Sequence, residues 1–263
     1  MSVIFKRPIL SLDDVPTILW DNILSGSTIT VSSEVESQEG TNIISGATND
    51  YWTPSSLPAI ISFDVGSSKG AGYLGVASHN LKTSGCTITL QKLSGSWVDV
   101  FSYTPEDDSI FFVPFNYTEA QEWRLSITGT SAPSIGVVFL GQAIQFETGI
   151  LPSYTPMYMA EDIELLTSRT ITGQFMPNRI QRRGLSTSFN LNILDRDFIE
   201  GIDFQRFRRY FNDGGSFFFA SNPNEIRDDV SYCWRQSNGV IQPTFANNGI
   251  FYNVQLALEG FLD

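Results

Sequence analysis

The chain has 263 residues, of which 41% are hydrophobic and 17% charged. That is enough apolar material for one large or two ordinary folded domains, and it excludes an intrinsically disordered chain. The formal net charge of −12 argues against a nucleic-acid-binding protein that relies on phosphate contacts. No apolar run approaches the roughly 18 residues of a membrane span, and the N-terminal residues predict no signal peptide, so we expect cytoplasmic folding without a membrane span.

The charge is distributed unevenly along the chain. Residues 1–150 carry a net charge of −9, whereas residues 151–263 carry −3 with ten arginines and no lysine. Guanidinium groups bind carboxylates through a rigid forked geometry, so an arginine-only second half favours a protein-contact surface. Arginines scattered over a solvated surface would give the same count.

The first half of the chain predicts an arm followed by a β-domain. Residues 1–27 are predicted to form an N-terminal arm, because Pro8 and Pro16 interrupt regular structure, with an apolar anchor around Trp20. Residues 28–148 contain many short strand-like segments between turns, which is typical of a β-sandwich or jelly roll. The predicted strands are Ser27–Val31, Ala59–Val65, Tyr73–Ala77, Thr87–Leu90, Trp97–Tyr103, Ile110–Phe115, Glu122–Thr128 and Ile135–Phe146.

Residues 149–160 are predicted to be a linker, because Pro152 and Pro156 hold an extended backbone. Residues 161–263 then predict a second β-domain. Arg179–Gly184 is interpreted as a basic loop, and Leu185–Ile193 alternates so regularly that Ile193 should share the buried face of Leu191. The other predicted strands are Ile163–Phe175, Phe217–Phe219, Val230–Trp234 and Tyr252–Leu258.

One short helix is predicted over residues 203–213. Asp203 is a good N-cap, and Phe204, Phe207 and Phe211 recur on one helical face. Gly214 and Gly215 would end the helix, because glycine adopts the left-handed C-terminal conformation at little cost. The predicted fold class is therefore all-β, with an N-terminal jelly-roll sandwich and a C-terminal antiparallel β-sandwich that carries one helix.

Several motifs of the first domain resemble discoidin-type, galactose-binding-like jelly rolls. Trp52 precedes the strand Phe63–Gly66 (FDVG), a hairpin carries Ser94–Asp99 (SGSWVD), and later strands contain Trp123–Ile127 (WRLSI) and Ile144–Phe146 (IQF). Val65 and Gln145 depart from the Leu and Glu that are usual in that family. The resemblance covers residues 28–148 and implies the fold more than the function.

The second domain resembles the β-domains of tailed-bacteriophage distal-tail and tail-tip ring proteins. Arg169–Phe175 (RTITGQF) leads into the arginine-rich segment, Ser216–Pro223 (SFFFASNP) follows the aromatic helix, and the chain closes on Leu256–Phe261 (LALEGF). The resemblance implies a ring-forming homo-oligomer, hexameric or trimeric, that contacts neighbouring tail proteins in the virion after assembly in the host cytoplasm.

No residue pattern indicates a reactive centre, so we expect no enzymatic activity, no catalytic residues and no cofactor or metal. His79 is the single histidine, and its neighbour Ser78 has no nucleophile motif around it. Cys86 and Cys233 form neither a disulfide framework nor a metal-ligand pattern. The acid pairs favour solvated loops over a glycosidase pair, and whether Glu106–Asp108 binds Ca²⁺ stays open because the spaced ligand loop is missing. The remaining acid pairs are Glu161-Asp162 and Asp228-Asp229.

Two functions from different classes follow from these patterns. The main interpretation is a structural virion protein at a phage tail tip or baseplate, with its assembly interface at Arg179, Arg182, Arg183, Arg206 and Arg209. The alternative is a carbohydrate-binding module for host-surface glycans, with Asp50, Tyr51, Trp52 and Trp97 as candidate contacts. Tryptophans in this fold also fill the sandwich core, so the same residues have a structural interpretation. A hydrolase would need activity that depends on His79 or on a carboxylate pair.

Overall fold

The computed structural model describes residues 15–152, 154–169, 171–223, 229–246 and 249–262. Nearly all regular structure in these residues is β, which confirms the predicted fold class. The strands of the first half are β1 Thr17–Asn22, β2 Thr28–Val31, β3 Ala59–His79, β4 Thr87–Ser94, β5 Ser96–Tyr103, β6 Phe111–Thr128 and β7 Ile135–Gln145. Those of the second half are β8 Glu161–Leu166, β9 Arg179–Asp195, β10 Phe217–Ala220, β11 Val230–Arg235, β12 Thr244–Ala246 and β13 Phe251–Gly260.

Helical structure is sparse in the described residues. The α-helices are α1 Arg196–Glu200 and α2 Ile202–Asn212, and short 3-10 helices lie at Gly40–Ile44 and Met157–Met159. The single helix predicted over residues 203–213 corresponds to α2, whereas α1 was not predicted. Gly201 is the N-cap of α2 and Asp203 lies in its first turn. Neither α-helix has the length and apolar character needed to cross a bilayer.

Strand β1 joins the two halves into one continuous sheet with the order β5-β4-β6-β3-β7-β1-β10-β11-β13-β9-β8. It pairs antiparallel with β7 on one side and with β10 on the other. Ile18 and Leu19 are fully buried in it. The prediction of an arm over residues 1–27 is therefore wrong for Thr17–Asn22, because this segment supplies a central strand; residues 1–14 lie outside the described residues.

The first half forms a sandwich from two long bent strands. Two predicted strands, Ala59–Val65 and Tyr73–Ala77, belong to one strand, β3. Two others, Ile110–Phe115 and Glu122–Thr128, correspond in the same way to one strand, β6. Their pairing shifts register after Asp64 and again after Ala71. Residues from both ends of each strand then pack into one hydrophobic cluster around Trp52 and Trp123. The bends therefore fold the sheet over a shared core.

In the second half, α2 covers the sheet with its aromatic face. Phe204, Phe207 and Phe211 are buried, as their spacing predicted. The helix ends where Gly214 adopts φ +88°, and the Gly215 N–H donates to the Tyr210 carbonyl at 3.0 Å. This six-residue closure satisfies carbonyls that the helix end would leave unpaired. The double glycine is thus the stop that the sequence predicted.

Strand β9 differs from its prediction in two respects. Arg179–Gly184 is strand rather than loop, because it pairs with β8 along Glu161–Leu166. Ile193 is 62% exposed with φ +60°. A register shift between Tyr252 and Val254 on the facing strand β13 marks a β-bulge at this point. The bulge breaks the period-two alternation, so Leu194 takes the buried position instead.

The predicted linker is anchored to the second half. The buried carboxylate of Asp229 accepts hydrogen bonds from the Tyr154 hydroxyl at 3.0 Å, from the Met157 N–H at 2.9 Å, and from the Ser221 hydroxyl. Each of these groups would be costly to leave unpaired in a buried site. Asp229 is therefore a structural residue that fixes Tyr154 and Met157; its sequence neighbour Asp228 lies outside the described residues. The division into two domains stays a prediction, since one sheet runs through both halves.

Candidate functional site

The structure separates the predicted glycan-contact residues. Trp52 is fully buried, and its indole N–H donates to the Ser33 carbonyl at 3.2 Å. Its ring belongs to the sandwich core and has no face open to a sugar, which corrects its inclusion among the candidate contacts. Tyr51 is partly buried, with its hydroxyl 3.1 Å from the Ser78 hydroxyl. Asp50 is exposed beside it.

Trp97 lies elsewhere, on the outer surface of the sandwich. Arg124 alternates with the buried Trp123 and Leu125 along β6, so its side chain points away from the core. Its guanidinium stacks over the Trp97 ring, 4.2 Å from the centroid. Trp97 is therefore on that outer surface, near the β4–β5 turn. Such a cation–π contact orders both groups and covers one face of the ring.

Two polar side chains extend this arrangement into a row. The Arg124 Nε donates to Gln91 Oε1 at 2.5 Å, and the Gln91 Nε2 donates to Asp99 Oδ1 at 2.5 Å. We call Trp97, Arg124, Gln91 and Asp99 the Trp97 face. It combines a planar π surface with an amide and a carboxylate held in fixed positions. A ligand with an apolar face and hydroxyl edges can use both kinds of contact.

The sequence reasoning found Trp97 but missed the other three residues of this face. The clean alternation of residues 122–128 already placed Arg124 on the solvent side of its strand. The proximity of Gln91 and Asp99 depends on the pairing of β4 with β5, which skips a residue after Leu90. Local alternation cannot specify that irregular register.

The lone histidine is used in the fold. His79 Nε2 donates to the Ser109 carbonyl at 3.0 Å, and Nδ1 accepts the Leu81 N–H at 3.3 Å. Burial lowers the pKa of His79 and outweighs the opposing effects of the Ser109 hydrogen bond and of Asp108 and Asp107. The Ser78 hydroxyl donates to the Thr48 carbonyl at 2.8 Å. These contacts give the imidazole a structural role at the end of β3.

The acidic loop that left Ca²⁺ binding open is also structural. Asp108 accepts the N–H groups of Lys82 and Thr83 at 2.8 and 3.1 Å, and it accepts the Thr83 hydroxyl as well. Burial opposes ionisation of Asp108, but these hydrogen bonds prevail and lower the pKa of its carboxyl. Among the described residues, no group of three or more His, Cys, Asp or Glu side chains is placed to hold a metal ion.

The predicted assembly arginines fall on two elements. Arg179, Arg182 and Arg183 lie on β9, and Arg182 forms ion pairs with Asp162 at 2.6 Å and Glu259 at 3.8 Å. Arg206 and Arg209 lie on α2, where Arg209 is exposed in the last turn. Ion pairs at such exposed positions contribute little to stability. The β9 arginines and the acidic residues beside them form a strip of mixed charge along the hairpin.

The β8–β9 hairpin carries the most exposed apolar side chains of its region. Ile171 is fully exposed, Phe175 is 77% exposed and Leu166 is 58% exposed. We call this set the apolar hairpin surface; it includes both faces of the hairpin, because Leu165 and Leu166 are consecutive in β8. Its members are Ile163, Leu165, Leu166, Ile171, Phe175, Met176 and Ile180. Exposed apolar patches on folded proteins mark interaction sites. Within the Arg169–Phe175 motif, Thr170 lies outside the described residues.

No protein-family model matches this chain, and no curated protein matches it either. Similar solved structures include the family 32 CBM from C. perfringens NanJ in complex with galactose, at 18% identity and a TM-score of 0.41 over 49% of this chain and 100% of that one. The CBM32 of AlyQ in complex with 4,5-unsaturated mannuronic acid matches at 21% identity and a TM-score of 0.38, over 46% and 95% of the two chains.

A structure of SpGH29 matches at 16% identity and a TM-score of 0.42, over 47% of this chain and 28% of that one. The chain thus spans little more than a quarter of that protein. TM-scores below 0.5 carry no argument about function.

Proposed function

We propose that this protein is a non-catalytic glycan-binding protein, and that the Trp97 face is its contact surface. The observation that carries the proposal is a partly exposed tryptophan on the outside of a β-sandwich, stacked with Arg124 and with Gln91 and Asp99 ordered beside it. Arg124 stacks over one face of the Trp97 ring, so the C–H face of a pyranose packs on the part of the ring that stays exposed, while its hydroxyls exchange hydrogen bonds with amide and carboxylate groups. Because these side chains are already ordered, they lose less conformational entropy when a glycan binds.

The test is a glycan array probed with the full chain and two variants. Trp97→Ala removes the ring, and Val98→Ala is the matched control because Val98 is the exposed next residue of the same strand. We expect the wild type and Val98→Ala to bind the same glycans, and Trp97→Ala to lose at least about tenfold in affinity, as for an aromatic hot spot. The absence of any bound glycan, or equal binding by Trp97→Ala, would contradict the proposal.

A second candidate function is a ring-forming component of a phage tail tip, the main interpretation of the sequence. The apolar hairpin surface favours it, because seven apolar side chains of one hairpin would be buried by a neighbouring subunit. The mixed-charge strip around Arg179, Arg182 and Arg183 suits the polar rim of such a contact. Arg206 and Arg209 would serve a separate contact on α2.

This second function is tested by light scattering and by virion analysis. The double variant Ile171→Asp/Phe175→Asp should reduce the assembled species to monomers, whereas Val98→Asp, an exposed control outside the hairpin, should not. A wild-type chain that is monomeric at every concentration, or purified virions that lack the chain, would end this proposal.

A further inference from the structure

A cavity of about 300 Å³ lies where the two halves of the chain meet. Its walls come from β1, from β7, from the end of the first 3-10 helix, from α2 and from the residue before β10. The lining residues are Trp20, Asp21, Asn22, Ser25, Ile44, Ser45, Gly46, Phe139, Tyr210 and Ser216. The volume is at the lower end of the roughly 300–1,000 Å³ typical of small-molecule sites, so it suits a ligand of one ring.

One side of the cavity is aromatic. The Trp20 and Tyr210 rings lie 5.4 Å apart between centroids, and Phe139 adds a third ring. Trp20 is 6% exposed, and among the described residues its buried indole N–H has no hydrogen-bond partner. This N–H is closed off from the cavity, so Trp20 contributes its ring to the wall and no hydrogen-bond donor.

The other side is polar and carries balanced charge. Asp21 belongs to the lining, and its carboxylate is paired at 3.5 Å with Arg206, which is not itself a lining residue. The serine hydroxyls of the lining add groups that both donate and accept. Because the two charges face each other, a neutral ligand fits this wall better than an ion of either sign.

The walls are fixed before any ligand binds. The Tyr210 hydroxyl donates to the Ser216 carbonyl at 2.6 Å, and the Tyr232 hydroxyl donates to the Gly46 carbonyl at 2.8 Å. Asn22 accepts the N–H groups of Leu24 and Leu140 at 3.2 and 3.1 Å. These bonds tie elements from both halves around the cavity, which reduces the entropy lost on binding.

From this geometry we propose that the junction cavity binds a single neutral saccharide ring or a similar small polyol. Ring C–H groups pack on Trp20 and Tyr210, a hydroxyl donates to Asp21, and other hydroxyls exchange hydrogen bonds with the lining serines. The ligand class rests on the proposed glycan-binding function, but the site is separate from the Trp97 face. It is formed by both halves together, so neither half has it alone.

The test follows indole N–H signals by NMR while the full chain is titrated with glucose, galactose, mannose and N-acetylglucosamine. Asp21→Asn removes the charged acceptor without changing side-chain size, Ser45→Phe fills the cavity, and Asp213→Asn is the matched control, because Asp213 is exposed and belongs to neither proposed site. We expect one sugar to shift the Trp20 signal in the wild type and in Asp213→Asn. Asp21→Asn should weaken this binding about tenfold, and Ser45→Phe should abolish it.

Unchanged affinity in both cavity variants, or sugar shifts confined to Trp97, would overturn the cavity proposal and leave the proposed function intact. The absence of a Trp20 shift with every sugar would overturn it as well. Loss of array binding by Trp97→Ala together with a retained Trp20 response to the monosaccharide would instead leave both sites supported. The near-UV circular dichroism of each variant establishes that it is folded, and a variant with a changed spectrum is replaced by Ser25→Phe at the same cavity.

Discussion

Gly75 on β3 offers the sharpest test of how the two halves pack. A Cβ added there would lie 2.7 Å from Cδ2 of Phe218 on β10, and Phe218 is fully buried. Elsewhere in a strand, alanine is more favourable than glycine by about 0.5–1 kcal/mol, because glycine loses more backbone entropy on folding. Overpacking of a well-filled core costs about 1–3 kcal/mol. A loss of stability in Gly75→Ala therefore indicates that Phe218 packs on the Gly75 backbone, and a gain of stability indicates that it does not.

We expect Gly75→Ala to lower the free energy of unfolding by about 1–3 kcal/mol, measured by urea denaturation. The matched control is Gly184→Ala in β9, where the nearest atom to an added Cβ is 3.9 Å away; this variant should be neutral or stabilising. Phe218→Leu should make space, so the double variant with Gly75→Ala should be more stable than the sum of the single effects predicts. A neutral or stabilised Gly75→Ala would refute the packing of β10 on β3.

Three further predictions concern buried or strained groups. Asp229→Ala should lower the free energy of unfolding by about 3–5 kcal/mol and speed proteolysis near Tyr154, whereas unchanged cleavage would contradict its anchoring role. Ile193→Gly should stabilise the chain by about 1 kcal/mol in thermal unfolding, because glycine accepts positive φ without strain; a loss of stability would contradict this. The pKa of His79 is lowered in the folded chain. Its contribution to the free energy of unfolding should therefore be fully present above about pH 6.5 and decrease as the pH drops below that value. His79→Gln should flatten that slope between pH 7.5 and 5.5, and an unchanged slope would refute it.

The sequence was informative where structure is local. The spacing of Phe204, Phe207 and Phe211 and the two following glycines predicted α2 and its end, because a helix and its cap depend on neighbours a few residues apart. Alternation predicted the buried residues of β9 as far as Leu191. The bulge at Ile193 lies beyond such reasoning, since it depends on how β13 pairs with the strand.

Long-range pairing explains the larger errors. Thr17–Asn22 was predicted to be part of an arm because its partner strands, β7 and β10, lie more than a hundred residues away in sequence. Arg179–Gly184 was predicted to be a loop because its charged residues do not show the apolar alternation of a strand, although it pairs with β8. The two proposed sites have the same origin: the Trp97 face depends on the register of three strands, and the junction cavity depends on β1 lying between the halves.

The most direct test of glycan binding by the Trp97 face is an NMR titration of the full chain with the highest-affinity oligosaccharide from the array. The indole signals of Trp97, Trp52 and Trp123 report on one partly exposed and two fully buried rings. We predict a saturable shift of Trp97 with Trp52 and Trp123 unchanged. A titration that leaves Trp97 unshifted while the oligosaccharide binds would contradict the account.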